Sequence, residues 1–469
     1  MIGRGGSAAA ALAILAGVWA TGILAGRAGP APAAAQGQPP CVLGGAAPTM
    51  DKPAPASVPV VNNNSNFDCM AWQAFISLNW PALAGQQGVA DPSKPLGSPG
   101  PTVWQTFATV DQVFLANGAR PALLATTGAA AAPRRFRVAG IVGPRHLRQK
   151  SKASSAFLKT KVPPKTLRAR NMPKLRALAP ASPKLDSDEQ ADGNVLIDQN
   201  GHFAYYEELL SPTEVDYIVG NGIYEAGAQN RFAAAQPISL PTGSTEVKAA
   251  WKILGPGDDP SHYITSQAYI DGGTVLTPVG LVGLHIMMRV PGLNQGVWAT
   301  FSQIENAPRQ GLAAAAHYAF NNPACSAKVC VPNQVTAPPT PTQVVQVFAP
   351  DTSAAAINAY VAGLVASHPA AGAMAYYQLL NVQWPTSSTP LPGAPQALPL
   401  PSGSPNTPTL INPVLETFMQ TSSTSCLGCH AFAPTASPPS GQAGPFASGY
   451  SFLLLHAQPA RAAGSAGKR

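Results

Sequence analysis

The chain has 469 residues, enough for two or three domains or for one large one with insertions. Fifty prolines, forty-three glycines and a charged share of only 11% argue against a helical bundle and for strands, turns and loops; an apolar share of 45% suffices for a sizeable core. The net charge of +8 is not that of a nucleic-acid-binding fold, because 15 of the 29 basic residues fall between Arg134 and Lys184, a stretch without a single acid, and the remainder carries 14 basic against 21 acidic residues.

Residues 1–35 read as an export signal. Arg4 supplies the positive end, Ala8 to Ile23 is apolar, and Ala33-Ala34-Ala35 closes the small-residue stretch before Gln36. The run between Arg4 and Arg27 is also long enough to span a bilayer, so an uncleaved anchor stays open. Either way the body is expected outside the cytoplasm, where disulfides form. Cys325 with Cys330 and Cys41 with Cys69 are the expected pairs, although four cysteines allow three connectivities.

Residues 36–133 read as an N-terminal helical part. One helix is predicted from Asn66 to Trp80, carrying Phe67, Met70, Phe75 and Leu78. A second is predicted from Pro101-Thr102, with Val103, Phe107, Val110 and Phe114 at helical spacing. Residues 134–190 form the basic insert. Six prolines and no sustained apolar period predict a mostly disordered segment, able to dock on an acidic partner or anionic lipid.

Residues 191–384 read as the sheet body. His202 to Leu210 is a predicted strand leading into Ser211-Pro212-Thr213-Glu214, a capping box with proline at the first helical position. Strands are predicted around Val247–Ile253, Tyr263–Ile270, Val279–Val290 and Val297–Ile304, separated by glycine-marked turns, which makes an antiparallel meander. A helix capped by Asp351 or Ser353 and a strand from Met374 to Trp384 complete the body. The fold class expected is α+β: an antiparallel β meander core with flanking helices, long proline-rich loops and a C-terminal attachment segment.

Nine prolines make 385–413 an extended connector. In 414–469 a short helix, Val414 to Gln420, precedes Cys426-Leu427-Gly428-Cys429-His430. This C-x-x-C-H spacing lets two thiols form thioethers with the vinyl groups of one haem while the adjacent imidazole lies beneath the iron. Competing readings are a C-x-x-C redox disulfide and a zinc site that also uses Cys325 and Cys330. The 39 residues after His430 contain no methionine, so the sixth iron position falls to upstream chain or to His456. In Leu284-His285-Ile286-Met287-Met288, strand alternation puts His285, Met287 and Arg289 on one face and Leu284, Ile286 and Met288 on the other. His285 is the distal candidate, with Arg289 near a haem propionate; His317, His368 and His146 rank lower. Glu207-Glu208 and Asp258-Asp259 are neighbouring carboxylates that point apart on a strand or sit solvated in a turn. No G-x-S-x-G, H-E-x-x-H or phosphate loop occurs.

Several stretches resemble secreted bacterial cytochrome c family proteins with a single C-terminal C-x-x-C-H. They are Phe67 to Pro81, Glu246 to Leu254, Gly280 to Ile304, Tyr377 to Pro385, the C-x-x-C-H itself and Ser451 to Leu454. The chain departs at Phe301-Ser302-Gln303, where the resemblance leads one to expect an acid followed by histidine. The resemblance implies a haem protein and no particular substrate. The expectation is a periplasmic or secreted protein that carries one covalent haem c on Cys426, Cys429 and the proximal ligand His430, for electron transfer. The alternative is a haem enzyme, a peroxidase or oxygenase, with an open sixth position. Expected partners are a redox protein or a small-molecule substrate, with no nucleic acid; an uncleaved N-terminus or the basic insert offers membrane association.

Overall fold

The computed structural model describes residues 39–41, 47–54, 56, 59, 61–121, 134–136, 190–271, 273–312, 317–438 and 442–460. The export signal and residues 137–189 of the basic insert lie outside them. Cys41–Cys69 and Cys325–Cys330 are both disulfide-bonded, the pairing expected from the sequence, and such bonds fit an extracellular or periplasmic environment. Among the described residues no helix is long and apolar enough to cross a membrane.

The fold is α+β. Its main sheet contains β1 (Ala108–Thr109), β2 (Arg134–Phe136), β3 (Tyr205–Leu210), β4 (Thr245–Ile253), β5 (Thr265–Ile270), β6 (Leu276–Val290), β7 (Leu293–Gln303) and β8 (Tyr377–Gln383). β5, β6, β7 and β8 pair consecutively as the expected antiparallel meander. β4 pairs with the free edge of β6, and β3 and then β1 extend the sheet outward from β4. The opposite edge of β6 is shared: residues 276–280 pair with β5, and residues 283–290 pair with β7. β2 joins β5 in parallel, so the first three residues of the basic insert belong to the sheet and not to a solvated segment. Arg134 explains why: its guanidinium pairs with Glu207 and lies over the Trp251 and Trp104 rings, 4.7 and 5.3 Å from their centroids.

One face of the sheet is dry. Leu284, Ile286 and Met288 point there with Val247, Trp251 and Phe301, beneath α1 (Asn64–Leu78) and the Thr352–Ala366 helix. Phe75 stacks on Phe301 at 4.4 Å, and each fully buried ring contributes about 1.5–3 kcal/mol. Asn63, three residues before the predicted cap, caps α1 by accepting from Asn66 N at 2.9 Å. Asp351 caps the Thr352–Ala366 helix as expected.

Three expectations are corrected here. The helix predicted from Pro101-Thr102 is a 3-10 turn at Trp104–Thr106, then β1, then a single turn α2 (Val110–Val113); its apolar spacing was that of buried loop residues. α3 (Pro212–Gly220) starts where the capping box predicts, but Ser211 Oγ accepts from Thr245 N at 2.8 Å and makes no cap bond, while Glu214 is turned inward. Asp258 is not solvated: it grips the buried Lys252 ammonium with both oxygens at 2.6 Å. Next come α4 (Ala226–Ala235), α5 (Thr352–Ala366) and the five-residue α6 (Cys426–His430). The connector forms a small hairpin, β9 (Pro385–Ser387) with β10 (Ser404–Pro405), and the tail a second one, β11 (Pro434–Ser437) with β12 (Gln442–Ala447). The helix expected over Val414–Gln420 is reduced to a 3-10 turn, Thr417–Met419.

Candidate functional site

The second face of the sheet carries the residues of interest. Register aligns Glu208, Lys248, His285 and Thr300 in one row across β3, β4, β6 and β7. The next row is Leu210, Glu246, Met287, Trp298 and Gln383. Paired residues in register share a face, so both rows look toward the C-terminal segment.

That segment is seated on the sheet by a glycine and an asparagine. A Cβ on Gly283 would come within 2.8 Å of Val414 Cγ2, so only glycine lets the chain lie this close. The buried Asn412 amide donates to Thr300 Oγ1 and Phe301 O, both at 2.8 Å, and Tyr206 donates to Val414 O at 3.0 Å. Glu416 follows, accepting from Asn412 N at 2.9 Å and bonding His285 Nε2 at 2.8 Å.

Gln383 then fixes the start of α6. Its Nε2 donates to Ser425 Oγ at 2.9 Å and its Oε1 accepts from Leu427 N at 2.9 Å, while Ser425 Oγ caps the turn at Gly428 N. Leu427 is fully buried among Met287, Trp298, Leu400, Ala431 and Tyr450. With Leu427 pinned inward, Cys426 is half-buried and Cys429 exposed, and both are free thiols, so the C-x-x-C disulfide is not formed. The four-thiolate zinc reading loses two ligands, because Cys325 and Cys330 are bonded to each other.

His430 sits with its ring against Trp298 and Phe452, at centroid distances of 4.3 and 5.1 Å. Its Nδ1 lies 2.7 Å from Tyr450 O. A carbonyl can only accept, so Nδ1 carries the proton and Nε2 keeps its lone pair. Burial, with the positive charges of Lys248 and His285, holds the imidazole pKa down at about 4, against a smaller opposing pull from the Tyr450 carbonyl. At neutral pH the ring is an uncharged nitrogen base.

The row beyond it is charged. Burial alone would depress the Lys248 ammonium, but Glu208 at 2.9 Å carries it above the usual lysine value, helped by Glu416 and Asp192. Burial opposes ionisation of Glu208 and Glu416 too; Lys248 and His285 respectively win, and both carboxyls sit below their ordinary value. The side chains of Glu208, Lys248 and His285 remain 27, 23 and 18% exposed although β4 and β6 are central strands, so a solvent-reachable recess opens over the row.

The structure thus brings Cys426, Cys429 and His430 onto one turn and sets His285 in the row facing them, with Nε2 engaged by Glu416. Met287 is buried beside Trp298. Arg289 does not face the recess: its guanidinium bonds Leu240 O, Asn294 O and Ser239 Oγ. His456 is half-buried beside Phe114, and His368 bonds Leu364 O and Asp51 away from this face. His146 lies outside the described residues. Lys248, Glu208, Glu416, Gln383, Trp298 and Tyr450 were not singled out as site residues from sequence. The polar member of each alternating strand was their available signal. Among the described residues no cluster of three or more His, Cys, Asp or Glu side chains is arranged for a metal ion. The chain matches no family model, no curated protein and no solved structure. The resemblance to cytochrome c family proteins therefore stands on the stretches quoted above.

Proposed function

We propose that this chain is an exported, periplasmic c-type haem protein serving electron transfer, with one haem held by thioethers from Cys426 and Cys429 and by His430 Nε2. The observation that carries this reading is the Nδ1 bond of His430 to Tyr450 O, beside two free thiols on the same helical turn. A metal-ligating histidine characteristically donates its other nitrogen to a carbonyl or carboxylate, which fixes the tautomer and aims the ligand. The donor set fits the group: two thiols, one neutral imidazole and an open recess.

When bound, haem c supplies a one-electron ferric/ferrous couple. The chain supplies everything else. Tyr450 O orients the imidazole; Trp298 and Phe452 hold its plane; Leu427, Met287 and Leu400 keep water from that side. The charged row Glu208–Lys248–His285–Glu416 sets the field on the recess side, which shifts the potential without further ligands. A redox protein is the partner class, with the exposed Cys429 edge as the nearest surface.

The test is expression in a host with c-type haem maturation, followed by haem staining after denaturing electrophoresis. Wild type is expected to retain the stain and Cys426→Ala/Cys429→Ala to lose it; a colourless wild-type protein would sink the proposal. A second reading, a haem-dependent oxidoreductase with an open sixth position, is favoured by one observation. His285 and Lys248 reach the recess but are bound to Glu416 and Glu208, so neither nitrogen is free to ligate. High-spin iron that binds cyanide selects this reading, and low-spin six-coordinate iron selects electron transfer.

A further inference from the structure

We propose that Glu214 and Glu246 form a proton-binding pair coupled to the His430 site, so that taking up an electron there draws one proton from solvent onto the pair. This rests on the haem reading above and adds a function to it, proton-coupled electron transfer.

The pair is built from two elements. Glu214 stands on the first turn of α3 and is completely buried; Glu246 stands on β4, in register with Met287. Their carboxyls meet in hydrogen-bonding contact. Both oxygens of Glu214 and Oε1 of Glu246 have no other hydrogen-bond partner. Ionised carboxylates only accept, so two of them can meet in this way only with a proton between them. Leaving buried polar oxygens without donors is costly, and their retention asks for a use.

The groups facing the pair do not neutralise it. From β6, Arg289 attracts both carboxylates, but its guanidinium is engaged by Leu240 O, Asn294 O and Ser239 Oγ. From β3, Glu208 repels Glu246, and from the tail Ser451 hydrogen-bonds Glu246. Tyr217 on α3 and Tyr450 on the tail flank Arg289 from the other sides. Burial followed by the charge of Glu246 pushes Glu214 well above the carboxylate range, and burial raises Glu246 against the help of Glu214 and Ser451.

Two physical connections reach His430. Ser451, bonded to Glu246, is the chain neighbour of Tyr450, whose carbonyl accepts the His430 Nδ1 proton. Glu246 also shares its row with Met287 and Trp298, and the Trp298 ring packs on the imidazole. Added negative charge at the site therefore stabilises the protonated pair. The step balances: a reduced partner protein gives one electron, solvent gives one proton, an O–H bond forms on a carboxylate oxygen, and net charge is unchanged.

The test is redox potentiometry of the holoprotein across pH. In wild type the midpoint is expected to fall as pH rises, by up to about 59 mV for each tenfold drop in proton activity. Glu246→Gln and Glu214→Gln are each expected to flatten that slope while keeping the haem stain. A flat wild-type profile, or a slope that survives both substitutions, overturns the proposal. Should the glutamine variants not fold, wild type decides alone: reduction in unbuffered solution with an indicator dye is expected to show proton uptake, with loss of an infrared carboxylate band and gain of a carboxylic acid band. No uptake overturns it. A chain without covalent haem brings down the proposed function and this inference together, whereas a stained protein with a flat profile brings down this inference alone.

Discussion

His430 Nδ1 and the carbonyl oxygen of Tyr450 are 2.7 Å apart, although twenty residues separate them in the chain. The intervening β11–β12 hairpin folds the tail back on the helical turn it follows. Tyr450 adopts a φ of +74°, which costs a non-glycine residue about 1–3 kcal/mol and turns its carbonyl toward the imidazole. The imidazole is thus clamped between a tail carbonyl on one side and the Trp298 ring on the other.

Trp298→Ala removes one jaw of that clamp. Trp298 is buried, and its indole nitrogen donates to Gln295 O at 2.9 Å. A loss of about 3–5 kcal/mol is expected in chemical denaturation. Covalent haem is expected to survive, because the thiols are untouched. Loss of the haem stain in a folded Trp298→Ala protein would contradict the role given to Trp298.

Gly283→Ala tests how the C-terminal segment is seated. The added methyl would meet Val414 and Leu415, forcing the segment off the sheet. Overpacking of this kind costs about 1–3 kcal/mol. The check is urea denaturation, with limited proteolysis between Asn412 and Glu416 reporting whether the segment lifts.

Asp68→Asn probes the dry face. Burial, opposed by the Ser353 hydroxyl and aided by Asp351, pushes the Asp68 carboxyl up from its ordinary value near 3.8 to about 7. A carboxyl with a raised folded-state pKa binds its proton more tightly in the folded chain, so it erodes stability as pH rises from about 4 through 7. Asp68→Asn is expected to escape that erosion. The two proteins should unfold alike near pH 4 and diverge by at most on the order of 4 kcal/mol at pH 7 and above. A constant difference across pH would contradict the assignment.

Arg134→Met tests whether the first residues of the basic insert are structural. It strips Glu207 of its partner, removes the Ser266 contact at 2.8 Å and empties the space over Trp104 and Trp251. Breaking one side of a buried pair is expected to cost about 3–5 kcal/mol, read by denaturation. Adding Glu207→Gln should recover part of the loss, because the stranded charge disappears.

The strands were legible because alternation and glycine turns are local signals: Val247 to Ile253 and Leu284 to Met288 divide between faces as their spacing says. What local pattern could not give was use. Ser211 and Glu214 carry a capping sequence, yet one bonds Thr245 and the other meets Glu246 on β4, contacts fixed only when the strands assemble. Arg134 reads as the start of a solvated basic run because cation–ring stacking leaves no periodicity. The C-x-x-C-H turn was visible as spacing, whereas its holders Gln383, Trp298 and Tyr450 come from three places in the chain and become neighbours only through sheet register and the tail hairpin.

β6 borrows its register from three neighbours at once, β4 along one edge and β5 and β7 in succession along the other. Inserting or deleting one residue near Gly283 would exchange inside for outside along everything downstream, sending Leu284, Ile286 and Met288 into water and His285 and Arg289 under the helices. No single partner could slide to absorb the slip. Length changes in this chain should therefore be tolerated in its proline-rich stretches and be lethal to folding in these fifteen residues.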